Sequence, residues 1–195
     1  PPPSTRPVAS WRPPDLSWNK INFDRALFEK EQRAGIGVII RNHAGLVLAS
    51  LTQQIPLPAT AIEVEALAGR WALEFAAEIG VGQVILEGDS EMLIKALRSD
   101  STSLAQYGHL VNDVQSHAST FPTPVHFSHV RRHCNYIAHS LARRAIRSPS
   151  FISLDGRCTI RLCYCTSRLI YNNLPNFWIR VGIFLFKKRK KKSWV

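Results

Sequence analysis

Three carboxylates, Asp24, Glu65 and Asp89, sit where their immediate neighbours explain them poorly. Asp24 closes the stretch Lys20 to Asp24, in which Ile21 and Phe23 alternate with Asn22 and Asp24 as in a half-buried strand. A turn-forming aspartate is the ordinary reading of such a strand end. Glu65 falls in a helical pattern over residues 61 to 79, and at about 100° per residue it shares a stripe with Gly69, Ala72 and Ala76. That small-residue stripe faces the protein. Glu63 lies on the opposite side with Arg70 and Glu74, and the capping-box spacing Thr60-Ala61-Ile62-Glu63 accounts for it. An inward carboxylate at Glu65 needs a metal, a hydrogen-bond donor or a cation as partner. Asp89 follows the apolar run Gln83 to Glu87 and precedes a short helix, a place that suits a helix N-cap. It is also the carboxyl end of a strand, where open α/β sheets bind ligands. Singly each acid has an ordinary explanation, but brought to one spot the three can hold hard divalent cations through oxygen ligands.

The elements that must position these acids follow from the hydrophobic pattern. After the Lys20 to Asp24 strand, Gly35 to Arg41 is a β-branched run, Asn42 to Gly45 makes a turn and Leu46 to Thr52 returns. These are three antiparallel strands in order. The 61 to 79 helix comes next, then a strand at Gln83 to Glu87 and helices at Ser90 to Leu97 and Leu104 to Ser116. A strand at Val125 to Val130 and a helix at Asn135 to Ile146 complete the series. The order β-β-β-α-β-α-α-β-α predicts an α/β fold, a mixed sheet whose first three strands form an antiparallel meander, with helices on both faces.

A chain of 195 residues with 45% hydrophobic and 20% charged residues fits one globular domain with tails and excludes collagen-like, wholly disordered and multi-span membrane classes. Residues 1 to 18 are rich in proline and read as an extended linker without chemistry of its own, 19 to 149 as the folded domain, and 150 to 195 as an extension outside the fold. The net charge of +11 divides unevenly: residues 1 to 150 hold 15 basic against 13 acidic side chains, and 151 to 195 hold 10 against 1. The six-residue basic run Lys187 to Lys192 reads as a solvated end, with nuclear import or contact with an anionic surface as alternatives. Cys158, Cys163 and Cys165 lack the paired CxxC spacing of structural zinc sites. No signal peptide is recognisable, and the apolar run Val181 to Phe186 is far shorter than the roughly 20 residues of a spanning helix. A cytosolic or nuclear monomer is the expectation, and an opening at Pro1 with Met92 as the sole methionine points to a fragment or processed chain.

Five segments taken in order resemble the ribonuclease H family: KINFD (20 to 24), AGIGVIIRNHAG (34 to 45), EALAGRWALEFA (65 to 76), ILEGDS (85 to 90) and FSHVRRHCNYIAHSLARRA (127 to 145). The resemblance is strongest to its retroelement-related, reverse-transcriptase-like branch abundant in plants, and it runs from about Trp11 to Ser148. It implies a five-stranded mixed sheet and a nuclease that cleaves the RNA strand of RNA-DNA hybrids with two Mg2+ ions, Mn2+ being a possible substitute. On that resemblance Asp24, Glu65 and Asp89 match the first three metal-holding acids, Glu65 being preferred to Glu63 because it precedes Ala72-Leu73 at the family spacing.

Two departures accompany the match. His139, in Asn135-Tyr136-Ile137-Ala138-His139, stands at the fourth acidic position and completes the catalytic set with a neutral imidazole, a poor Mg2+ ligand that suits Mn2+ or a transition metal better. Arg25 follows Asp24 where the family has a small residue, placed to salt-bridge Asp24 or meet a phosphate. Arg25, Arg131, Arg132 and Asn135 are the expected nucleic-acid contacts, with a merely solvated basic face as the alternative for the arginines. Trp71 and Phe75 fit the helix core rather than a stacking surface. Two functions are compatible with this pattern: a metal-dependent hybrid ribonuclease weakened at its fourth ligand, and a noncatalytic nucleic-acid or protein-binding remnant.

Overall fold

In the computed structural model, residues 10–99 and 107–148 are described in full and 150–154 and 158–161 through their backbone. The alternation that starts at Lys20 continues past Asp24, so β1 (Asn19–Phe28) is ten residues long. It pairs antiparallel with β2 (Arg33–Arg41), which pairs antiparallel with β3 (Val47–Pro56). The β2–β3 turn is built by Asn42, whose Oδ1 accepts from the amides of Ala44 and Leu46, and by Gly45 at φ 75°. On its other side β1 pairs in parallel with β4 (Val84–Gly88), and β4 in parallel with β5 (His126–His129). These five strands are the mixed sheet that the sequence pattern predicts. Two more, β6 (Ser150–Leu154) and β7 (Cys158–Arg161), extend it to the order β5-β4-β1-β2-β3-β6-β7. The segment from 150 was expected to lie outside the fold. Its strands join because β3 would otherwise present a full row of unpaired backbone groups at the sheet edge. The remaining tail, with Cys163, Cys165 and the basic run, lies outside the described residues, as do residues 1 to 9.

Helices cover the two sheet faces by different means. α1 (Ala61–Glu78) begins at a reciprocal capping box, with the Thr60 amide donating to Oε2 of Glu63 at 3.0 Å and the Glu63 amide to Oγ1 of Thr60 at 3.4 Å. With α2 (Glu91–Arg98) and α3 (Gly108–Ser119) it encloses the main core, in which Ile21, Phe23, Ile36, Val38, Leu73, Leu86, Leu93 and Val114 are almost wholly buried. Each fully buried side chain of this kind contributes about 1.5–3 kcal/mol. The expected start of α3 at Leu104 lies outside the described residues. No helix among the described residues is long and apolar enough to cross a membrane.

The opposite face carries α4 (Tyr136–Arg144), preceded by a 3-10 turn at Arg132–Cys134. α4 lies directly on β2: a Cβ at Gly35 would collide with the carbonyl oxygen of Ala142, and one at Gly37 with that of Ala138 and the amide of Ala142. Buried Ala138 and Ala142 keep the helix close. Thr52 Oγ1 donates to the Leu141 carbonyl at 3.2 Å and secures it from β3. Residues 10 to 18 run over the same face, with Trp11 against Glu87 and Arg41 and Trp18 on His126 of β5 at 4.6 Å between ring centroids. The described part of the segment that read as a linker is therefore anchored to the sheet through its two tryptophans.

Candidate metal centre

Asp24, Glu65 and Asp89 converge, each offering a carboxylate oxygen within 4.8 Å of the others. β1 and β4 pair in parallel up to Asn22 and Glu87, and the next residue on that face of β1 is Asp24, while Asp89 is the first residue beyond β4. Asp24 is thus within β1, opposite Gly37, and not at a strand end as expected. The space above Gly37 is taken by the α4 backbone, which brings that helix against the strand pair beside Asp24. Asp89 does not cap α2 either. Ser90 is the N-cap, its Oγ accepting from the Leu93 amide at 3.4 Å. Glu65 comes from the first turns of α1 on the sheet-facing stripe, 3% exposed, as the helical periodicity requires. Gly69, one turn further along α1, faces the Phe23 ring, which a Cβ there would meet at an ordinary 3.6 Å.

Burial and the mutual proximity of the carboxylates raise the proton affinity of Glu65 and Asp24. Burial, then the charges of Asp24 and Asp89, pushes Glu65 up to about 8, against the opposing effects of Arg25 and Arg132. Asp24 is also raised, by burial first and Asp89 second, although the Arg25 amide and His139 act in the other direction. Oε1 of Glu65 is buried and has no hydrogen-bond partner. Clustered carboxylates with an orphaned oxygen fit a divalent cation, which supplies the missing partner and offsets the repulsion.

His139 reaches the site, with Nδ1 3.0 Å from Oδ2 of Asp24. The three oxygens that converge are all carboxylate, and the imidazole abuts them through Asp24. Arg25 pairs with Glu65, not with Asp24: Nε lies 2.9 Å from Oε2, although its N–H is not aimed along a hydrogen bond. Only the Arg25 backbone serves Asp24, donating to Oδ1 at 2.7 Å. Arg131 and Arg132 are exposed in the approach to α4, and the charge of Arg132 acts on Glu65. Asn135 departs from the expected nucleic-acid contact. It is 1% exposed, and its Nδ2 donates to the Phe23 carbonyl at 2.8 Å, tying the start of α4 to β1 beside Asp24. Trp71 and Phe75 pack with the core as expected. The sequence reading missed a buried polar cluster behind the acids, formed by Lys20, Asn22, Arg41 and Glu87. Its signal was the run of polar residues at 20, 22 and 24 on one strand face.

Solved structures share this architecture. Ribonuclease H1 from the halophilic archaeon Halobacterium salinarum is 25% identical, with a TM-score of 0.60 over 67% of this chain and 98% of that one. The N-terminal RNase H domain of a Mycobacterium tuberculosis protein is 21% identical, with a TM-score of 0.59 over 68% of this chain and 95% of its own. A metagenomic ribonuclease H1 isolated from compost, solved in complex with an RNA/DNA hybrid, is 21% identical at a TM-score of 0.59, covering 66% and 96%. No curated protein matches the sequence. The reverse transcriptase-like family model spans residues 22–145, from the strand that bears Asp24 to the end of α4, and the chain belongs to that family.

Proposed function

We propose that this domain hydrolyses the RNA strand of RNA-DNA hybrids with the help of divalent cations, Mg2+ or Mn2+, at Asp24, Glu65 and Asp89. The observation that carries this reading is the convergence of those three carboxylates at the end of the β1–β4 pair, with the Glu65 oxygen unpartnered, in a ribonuclease H fold. When bound, a cation pair supplies an activated water and neutralises charge on the leaving oxygen. The chain's own contribution is positional. The Arg25 amide and His139 hold the two oxygens of Asp24, and the Arg25 guanidinium restrains Glu65. Arg131 and Arg132 stand where a phosphate backbone approaches, a contact that gives affinity and salt dependence without sequence preference.

A second reading, a noncatalytic nucleic-acid-binding domain, is favoured by one specific feature. Where a fourth acid would complete the set, His139 is hydrogen-bonded to Asp24, so one carboxylate is engaged by a side chain that adds no negative charge. Incubating the full chain with a labelled hybrid in Mg2+ and in Mn2+, beside Asp24→Asn, separates the two. Cleavage of the RNA strand that Asp24→Asn lowers by at least about two orders of magnitude supports the enzyme. Hybrid binding without cleavage in either metal supports the remnant.

A further inference from the structure

Behind the three acids, on the sheet face that α4 leaves open, the chain buries a second set of charges. Glu87 is 4% exposed and Arg41 6%. Glu87 accepts from Nδ2 of Asn22 at 3.0 Å and from the indole Nε1 of Trp11 at 3.1 Å, while Nζ of Lys20 lies 2.8 Å from its other oxygen. Arg41 donates to Oδ1 of Asn22 at 2.7 Å, and its guanidinium stacks 3.3 Å from the Trp11 ring centroid. Lys20 also donates to the Arg12 carbonyl at 3.0 Å. Trp11 thus contributes a hydrogen bond to the anion and a π-face to the cation, and its body shields both from water.

The position of this cluster matters more than its stability. Asn22 and Glu87 are the last registered pair of the parallel β1–β4 ladder. Asp24 follows Asn22 by two residues on the same face of β1, and Asp89 follows Glu87 by two in the chain. Past this pair the strands have no ladder to each other; the Phe23 ring lies against Gly88, and the Trp11–Glu87–Asn22 bridge is the last hydrogen-bonded tie among the described residues before the two aspartates. Taking Asp24, Glu65 and Asp89 as a cation site, as above, we infer that Trp11 is a positioning residue for that site. The segment before the first strand is then a working part of the metal centre, and lifting Trp11 from the sheet loosens the distance between Asp24 and Asp89.

Mn2+ titration of the full chain followed by electron paramagnetic resonance tests this without reference to turnover. The wild type must bind Mn2+ first, and failure there removes the cation site itself, a result separate from any effect of Trp11. Given binding, Trp11→Ala weakens it by about tenfold, the usual cost of losing a group that orients metal ligands. Trp11→Phe keeps the π-face, loses the N–H and falls between. Val84→Ala, a core truncation at the start of β4, the opposite end of that strand from Asp89, controls for general destabilisation and leaves Mn2+ affinity unchanged in the folded protein. Wild-type affinity in both Trp11 variants overturns the inference, as does an equal loss in Val84→Ala. If Trp11→Ala does not fold, Trp11→Phe with Glu87→Gln carries the same comparison.

Discussion

Both oxygens of Asp24 are engaged by protein, Oδ1 by the Arg25 amide and Oδ2 by His139, whereas Oε1 of Glu65 has no partner. Glu65 therefore keeps a buried oxygen that a cation would complete, which Asp24 does not. Glu65→Gln is expected to remove divalent-metal binding and lower cleavage about a hundredfold or more. Glu63→Gln leaves both intact and lowers stability by about 1 kcal/mol or less through the capping box. Equal effects in metal titrations of the two variants would disprove the separation of faces. That separation was legible in the sequence, because a helical stripe is periodic. The contact of His139 with Asp24, 115 residues away in sequence, was reached by resemblance alone, since no local pattern encodes it. Of the two partners expected for Arg25, the Asp24 salt bridge is the one the structure replaces: adjacency in sequence favoured it, but consecutive strand residues point to opposite faces, and Arg25 shares its face with α1 and Glu65. His139→Asp puts a carboxylate where the imidazole holds Oδ2. It is expected to raise Mg2+-dependent cleavage by about tenfold, with a smaller gain in Mn2+, which accepts imidazole more readily. Side-by-side rates in the two metals decide it. An unchanged Mg2+ rate would mean that a missing fourth charge does not limit the site.

Asp24 and His139 meet because α4 is seated on β2 without intervening side chains, and Gly35 and Gly37 make that possible. Gly37→Ala drives a methyl into the α4 backbone at the residue paired with Asp24. Overpacking of this kind costs about 1–3 kcal/mol, so urea unfolding should show that loss together with weakened Mn2+ binding. Gly82→Ala, whose added carbon meets only Cγ of Pro122 at an ordinary 3.6 Å, serves as the neutral control. Equal stability in the two variants would contradict the close seating of α4. In the sequence these glycines read as part of a β-branched strand, and their purpose was invisible until the helix above them was placed. The strands and helices themselves were legible where periodicity is strong, as in β2 and α1. It failed where partners decide. β1 runs on to Phe28 because β2 continues beside it, and β6 exists because β3 offers an open edge. Residues 10 to 18 looked like a linker because proline dominates their composition, whereas their fixed place comes from Trp11 and Trp18 against the sheet.

At the scale of the whole molecule, the positive charge lies mainly in the tail, with residues 1 to 150 nearly balanced. Among the described residues, the domain's own buried charges are Asp24 and Glu65 at the metal centre and Glu87 and Arg41 behind it, and the first two tie its stability to pH. Glu65 has an ordinary value of 4.5 and is raised to about 8 in the fold, and Asp24 is raised in the same direction. Between those limits the native state holds a proton that the unfolded chain has already released, so the folded state binds more protons and stability falls as pH rises. Below about 4.5 both states keep the Glu65 proton, and above about 8 both have lost it, which confines this contribution to the interval. Divalent cations require the deprotonated carboxylates, so their affinity rises through the same interval and their binding restores the stability that ionisation removes. The expected outcome in thermal unfolding is a metal-free midpoint that declines from pH 5 to pH 8 and a midpoint with Mg2+ or Mn2+ that declines less, the gap widening with pH. Glu65→Gln removes the titrating group, so the difference between variant and wild type isolates its share. Parallel pH profiles for the two proteins, with and without metal, would show that burial of Glu65 among Asp24 and Asp89 does not set the proton balance of this fold.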